Sequence, residues 1–236
     1  MQSASLSGTT IQATSDTTRK VTGAMLACGV VAGPLYIVVG LLEMFTRPGF
    51  DLRRHSLSLL SNGDLGWIHV AMLVVTGLLT VIGALGMRRV LRGSRSGTWG
   101  PLLVGLYGLG LIGAGFFSAD PALGFPPGTP DDANAVSWHG LMHLVSGGIG
   151  FIALVAACLV FARRFAALKE RRWAVYSVAT GVFYLVAFFG IGAGSQQQGA
   201  LLTFVNLAFS VAVVLAWVWI SVLCERLRRE LPDVRP

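Results

Sequence analysis

The chain has 236 residues, of which 54% are hydrophobic and only 12% charged, with a formal net charge of +7. That balance is too apolar for an ordinary soluble domain. Its basic residues are spread between apolar blocks rather than gathered in one patch, which argues against a nucleic-acid partner.

Residues 1–18 are polar and rich in Ser and Thr, the composition of a disordered tail. Six apolar blocks follow, at roughly 21–45, 65–87, 98–118, 138–162, 173–193 and 200–223. Each is long enough to cross a hydrocarbon core of about 30 Å. The expected fold is therefore all-α: a six-helix transmembrane domain over 19–225, followed by a basic tail over 226–236. The first block is too long for a signal-peptide core, and the "MLAC" at Met25–Cys28 comes too early in it to mark a lipoprotein cleavage site.

The polar segments between the blocks set the expected topology. Arg19 and Lys20 precede span 1, and Arg88, Arg89, Arg92 and Arg95 follow span 2. Arg163, Arg164, Lys169, Arg171 and Arg172 join spans 4 and 5, while Arg226, Arg228, Arg229 and Arg235 follow span 6. With six crossings all of these fall on one side, and the positive-inside rule puts that side and both termini in the cytoplasm, with the protein integral to the cell membrane. Arg47, Arg53 and Arg54 are the exceptions. Cys28, Cys158 and Cys224 all lie toward the cytoplasmic ends of their spans, so no disulfide is expected.

The outward loops differ from one another. Loop 1–2, "TRPGFDLRRHSLSLLSNGD", is long and mixed, and loop 3–4, "ADPALGFPPGTPDDANAVS", is rich in Pro, Gly and Asp. Loop 5–6, "GSQQQGA", is short and amide-rich. Long loops of this kind often cover a site, although solvation of exposed ends explains loop 3–4 equally well. Glycines in spans 3, 4 and 5 (Gly105, Gly108, Gly110, Gly113 and Gly115 in span 3) read as helix-packing surfaces.

Span 4 opens "WHGLMH". His139 and His143 are four residues apart and share a helix face, which Ser146 extends inward. His69 lies about one turn into span 2, with Asp64 and Trp67 just before it. Glu43 is near the outer end of span 1, Asp120 closes span 3 and Trp138 opens span 4. Asp51, Arg53, Arg54 and His55 sit in the loop above. All four histidines and most outer carboxylates thus share one depth, whereas the inner halves of the spans hold almost no ionisable groups. Titratable groups at membrane depth are costly and tend to face an interior cavity, so an outward-facing polar pocket is expected. The competing explanation is that helix ends near water carry such residues without a function.

Several chemistries fit that pocket. Glu43 or Asp120 supplies an acid, and His69 and His143 supply bases, since histidine titrates near neutral pH. His69, His139 and His143 form a candidate set of metal ligands, and His69 with His143 a candidate haem pair, so neither a metal nor a haem cofactor is assigned. An H-x-x-x-H spacing alone is a weak signal because it lacks the glutamate of H-E-x-x-H. Arg53, Arg54, His55, Asp64, Trp67, Trp138, His139 and Ser146 are candidates for substrate binding. For the arginine pair, contact with an anionic head group of a substrate competes with contact with lipid phosphates at the interface.

The polar "HSLSLLSNGDLGW" leading into span 2, the Gly-rich span 3 ending "FFSADP" and the "WHGLMHLVSG" opening of span 4 carry a resemblance. Over roughly 22–225 the chain resembles the bacterial six-span membrane proteins grouped as domain-of-unknown-function family 998. The resemblance implies the topology and supplies no activity. The expected function is then a membrane-embedded enzyme, such as a cyclase or hydrolase, acting on an apolar or amphipathic substrate of lipid or isoprenoid type. Its partners would be membrane lipids and that small molecule. A small-solute carrier or channel and a non-catalytic subunit are the alternatives, the former disfavoured by the lack of polar groups in the inner halves.

Overall fold

The computed structural model of the chain describes residues 3–133, 135–194 and 199–231. Helix α1 runs Ser3–Thr46, α2 Gly66–Val90, α3 Ser96–Phe116, α4 Trp138–Ala167, α5 Arg171–Gly194 and α6 Ala200–Arg229. A short 3-10 helix, Leu57–Ser61, lies between α1 and α2. All six long helices are long and apolar enough to cross a membrane, α1 over Asp16–Thr46 and α5 over Arg171–Ala193. The protein is an all-α, six-helix integral membrane protein.

Two boundaries differ from the sequence reading. The α1 backbone is helical back to Ser3, through residues expected to form a disordered tail. At the other end α6 carries Arg226, Arg228 and Arg229 in its last turn, so the start of the expected basic tail is helix. Cations there complement the negative end of the helix dipole. Arg235 and the three glutamines of loop 5–6 lie outside the described residues.

The helices close into a ring in chain order: each packs on its successor, and α6 packs back on α1. Close approach between them rests on glycine. A Cβ on Gly77 of α2 would come within 2.6 Å of the Gly108 carbonyl of α3, and one on Gly110 of α3 within 2.8 Å of the Gly150 Cα of α4. With no aqueous hydrophobic effect between spans, contact at this range supplies the association. The glycines near the end of α5 are different: a Cβ on Gly192 would meet nothing.

Aromatic side chains fill the middle of the ring. Trp217 of α6 lies 4.9 Å from the Tyr36 ring of α1 and 5.6 Å from Tyr107 of α3. Tyr184 of α5 sits 5.5 Å from Phe151 of α4 and 5.9 Å from Phe209 of α6. Val31, Val38, Leu42, Leu78, Leu109, Ile149, Val186 and Phe204 are exposed around the outside, the apolar belt that lipid covers. A Cβ on Gly23 of α1 would lie 3.7 Å from Leu231, so the start of the α1 span and the end of α6 meet at one end of the ring. The opposite end, here the distal end, carries the residues of the predicted polar belt.

Candidate functional site

Glu43 and His69, distant in sequence, meet at the distal end. The His69 Nδ1 lies 2.9 Å from Glu43 Oε2, and the two residues are 2% and 3% exposed. A carboxylate opposite Nδ1 fixes the tautomer with its proton on that nitrogen, leaving Nε2 with the lone pair. No hydrogen bond from the described residues reaches Nε2. The ring lines a small crevice between α1 and α6, together with Tyr36, Gly40, Met44 and Ser210. The crevice walls are almost wholly apolar, and a Cβ on Gly40 would meet nothing within 4 Å.

The second Glu43 oxygen is also taken, by a residue that sequence reasoning did not place in the site. Arg47, one helical turn after Glu43, approaches Oε1 at 3.4 Å and is itself buried. Its Nη1 donates to the Leu60 carbonyl at 3.0 Å and its Nη2 to the Asn62 carbonyl. The guanidinium also sits 5.6 Å from the Phe125 ring centre. Arg47 therefore ties α1 to the 3-10 helix and to the loop before α4. Beyond its place outside the charge bias, the i, i+4 spacing with Glu43 is the sequence signal that could have found it.

His55 belongs to the same roof. It is 3% exposed, its Nδ1 accepts from the Asp51 N–H at 2.9 Å, and its Nε2 donates to the Leu123 carbonyl at 3.0 Å. Its ring lies between Phe50 and Phe125. With both nitrogens spent on the loops, His55 holds the roof together and has none left for a ligand.

His143 and Asp120 stand elsewhere at the distal end. The His143 Nδ1 lies 2.8 Å from both the Ala114 and Phe117 carbonyls, so it donates to the free C-terminal carbonyls of α3. Asp120 accepts from the Ser137 N–H at 2.8 Å and from its hydroxyl at 2.5 Å. Ser137 in turn caps α4 by accepting from the Gly140 N–H at 3.0 Å. A Cβ on Gly140 would overlap the Asp120 carboxylate, which explains the glycine between the histidines of "WHGLMH". Asp120, expected as an acid, has both oxygens engaged in seating α4. His143, Asp120 and Asn206 line a second, larger cavity of about 490 Å³ beneath the loops.

The remaining candidates are scattered. His139 is exposed and packs at an angle against Trp138 and Phe117, with ring centres 4.5 and 5.9 Å away. Among the described residues no three His, Cys, Asp or Glu side chains are gathered as a metal site, so His69, His139 and His143 do not form the ligand set their spacing proposed. Helix spacing placed His139 on the His143 face, but it sits at the start of α4, beyond the packed part of the bundle. Among the described residues His69 and His143 line different voids, the crevice and a larger cavity. Arg54 pairs with Asp131 at 3.1 Å on the surface, and Arg53 and Asp64 are exposed. Trp67 and Trp138 are 67% and 62% exposed at the distal rim, where amphipathic rings favour the membrane interface. Ser146 packs against Gly113 of α3 and lines neither void.

No curated protein and no solved structure matches the chain. The family model described as "Protein of unknown function (DUF998)" matches residues 30–226, which takes in the C-terminal part of α1, all of α2 to α5, most of α6 and both voids. The chain belongs to the DUF998 family.

Proposed function

We propose that the protein is a membrane-embedded enzyme that acts on an apolar or amphipathic substrate, with His69 as its acid–base group. One observation carries the reading: a buried Glu43–His69 pair at 2.9 Å whose ring lines an apolar crevice. In this reading Glu43 is a positioning residue. It holds the Nδ1 proton and aims the ring, while Nε2 takes a proton from the substrate and returns it to the product. The open space beside Gly40 gives an apolar chain a lateral way in from the bilayer. A carrier has less support, because the half of the ring toward the termini is filled by Leu26, Met87, Phe161, Trp219 and Leu223, all 0% exposed.

The test uses purified protein in nanodiscs loaded with a total membrane lipid extract, read by mass spectrometry. Wild type should consume one lipid species and form another, and His69→Ala and Glu43→Gln should each abolish that change while the protein stays folded. Gly40→Phe should slow it by blocking the crevice. A second reading is favoured by the Arg47 contacts to Leu60 and Asn62: the cluster is a structural latch and nothing more. A lipid profile unchanged by wild type, with His69→Ala losing only stability, would establish the latch and end the enzymatic reading.

The sidedness that goes with this proposal puts both termini in the cytoplasm and the distal end outside, from the charge bias of the loops. A cysteine placed at Gly128 should then react with an impermeant reagent added to intact cells, and one at Ser94 should not. The reverse pattern would turn the site toward the cytoplasm.

A further inference from the structure

The larger distal cavity has a polar floor that the protein itself leaves unpaired. Asn206 of α6 is 3% exposed, yet its carboxamide forms no hydrogen bond within the described residues, and its nitrogen is fully buried without a partner. A buried amide left in this state costs about 1–3 kcal/mol, so such groups are nearly always satisfied by protein, water or ligand. On the wall of the same cavity stands His143, whose Nδ1 proton is committed to the Ala114 and Phe117 carbonyls. The neutral ring therefore offers Nε2 as an acceptor. The floor combines a carboxamide, able to donate and accept, with a lone pair.

The walls and rim narrow the ligand class. Leu144, Ile191 and Leu202 make the sides apolar, and Leu144 is also 64% exposed on the lipid-facing surface. The cavity thus borders the bilayer as well as the loops. Asp120, Asp131 and Asp132 line the rim, while Arg54, the cation among its described lining residues, is already paired with Asp131. Three carboxylates against one neutralised guanidinium disfavour an anion. A volume of about 490 Å³ lies within the range of small-molecule pockets.

We infer that this cavity is a binding site for a neutral amphiphile bearing a hydroxyl group, which accepts from the Asn206 carboxamide and donates to the His143 Nε2 while its apolar body lies along Leu144 and Leu202. The site is separate from the His69 crevice and does not rest on the enzymatic reading. A hydroxyl fits because it is both donor and acceptor at one atom and carries no charge to meet the rim carboxylates.

Photolabelling in phosphatidylcholine nanodiscs tests this without any activity assay. The probes are diazirine-bearing sixteen-carbon chains ending in a hydroxyl, a methyl or a carboxylate. The alcohol should label the peptides carrying Leu144 or Leu202 about tenfold more than either analogue, the size of one or two lost hydrogen bonds. Asn206→Leu should bring the alcohol down to the level of the methyl probe. Leu144→Trp, at an exposed position that tolerates a large ring, should also cut labelling and keeps the test valid if Asn206→Leu fails to fold. Equal labelling by the methyl probe, preference for the carboxylate, or undiminished labelling in both variants would overturn the assignment. A six-carbon alcohol probe added from water distinguishes the source. Labelling as strong as the long chain means an aqueous ligand, and labelling by the long chain alone means a membrane lipid; either result supports the site.

Discussion

Each end of the bundle holds a cluster built on an arginine–glutamate pair, and the two clusters differ in how far they are removed from water. At the distal end Arg47 and Glu43 have side chains 5% and 4% exposed, and His69 is 2% exposed. At the end bearing the termini Arg226 reaches Glu170 at 2.6 Å and Glu230 at 2.9 Å, with side chains 21%, 32% and 46% exposed. The Arg226 guanidinium also lies 4.8–4.9 Å from the Trp173 and Phe165 rings. The charges of the first cluster have lost their water and depend on one another. The second stays partly open to water, most of all at Glu230, and joins α6 to the α4–α5 turn as a clasp. Shorter contacts at the exposed end do not make it the stronger one, because desolvation, not distance, sets what a lost partner costs.

The largest effect should come from breaking the buried cluster. Glu43→Ala leaves Arg47 without a counter-charge and the His69 Nδ1 without an acceptor in a closed site, and removal of one partner from a buried pair typically costs about 3–5 kcal/mol. Chemical unfolding in detergent should show a loss of that size. A loss below ~1 kcal/mol would mean that water reaches the cluster, and the contrast between the two ends would collapse.

A loss of intermediate size is expected where the contrast does not apply. Gly110→Leu forces a side chain into the α3–α4 contact, where even a Cβ would come within 2.8 Å of the Gly150 Cα. Overpacking of this kind costs about 1–3 kcal/mol. It should lower the thermal midpoint without changing salt dependence, since no charge is involved.

Much of this architecture was legible in the sequence because membrane spans are written in long apolar runs. All six predicted blocks fall on the observed helices, and Gly108 and Gly110 are packing surfaces as expected. That Glu43 and His69 share a depth followed from counting turns, and the structure adds that they touch. The rest was hidden because it depends on how loops fold back. Arg47 stood out only as an exception to the charge bias. Its carbonyl partners, Leu60 and Asn62, come from a 3-10 segment that no periodicity announces. Asp120 and His143 read as chemistry from their type and depth, whereas their atoms finish the ends of α4 and α3. Asn206 gave no signal, because a single amide inside an apolar span has neither charge nor spacing to mark it.

The exposed clasp should matter less. Arg226→Ala removes two ion pairs and two ring contacts, but surface ion pairs are worth ~0–1 kcal/mol each and screened by salt. A loss of about 1 kcal/mol is expected in dilute buffer. At ~1 M salt, where the screening length is about 3 Å, the ionic share should vanish and the ring contacts should remain. A loss as large as that of Glu43→Ala would show that burial is not what separates the two ends.

The smallest effect is expected at the most exposed pair. Arg54 and Asp131 lie 3.1 Å apart with side chains 50% and 76% exposed, at the distal end yet outside the roof that closes over Glu43. Asp131→Asn keeps the shape and removes the charge. Both partners remain solvated in the variant, so the change in unfolding free energy should stay within about 0.5 kcal/mol. This position isolates the cause of the contrast, because it shares the distal end with Glu43 and shares exposure with Arg226. If Asp131→Asn is silent while Glu43→Ala is severe, burial and not location at the distal end accounts for the difference. If it destabilises by ~2 kcal/mol or more, the loops around the 490 Å³ cavity depend on the surface pair. The roof would then be held from outside by Arg54 as well as from beneath by Arg47.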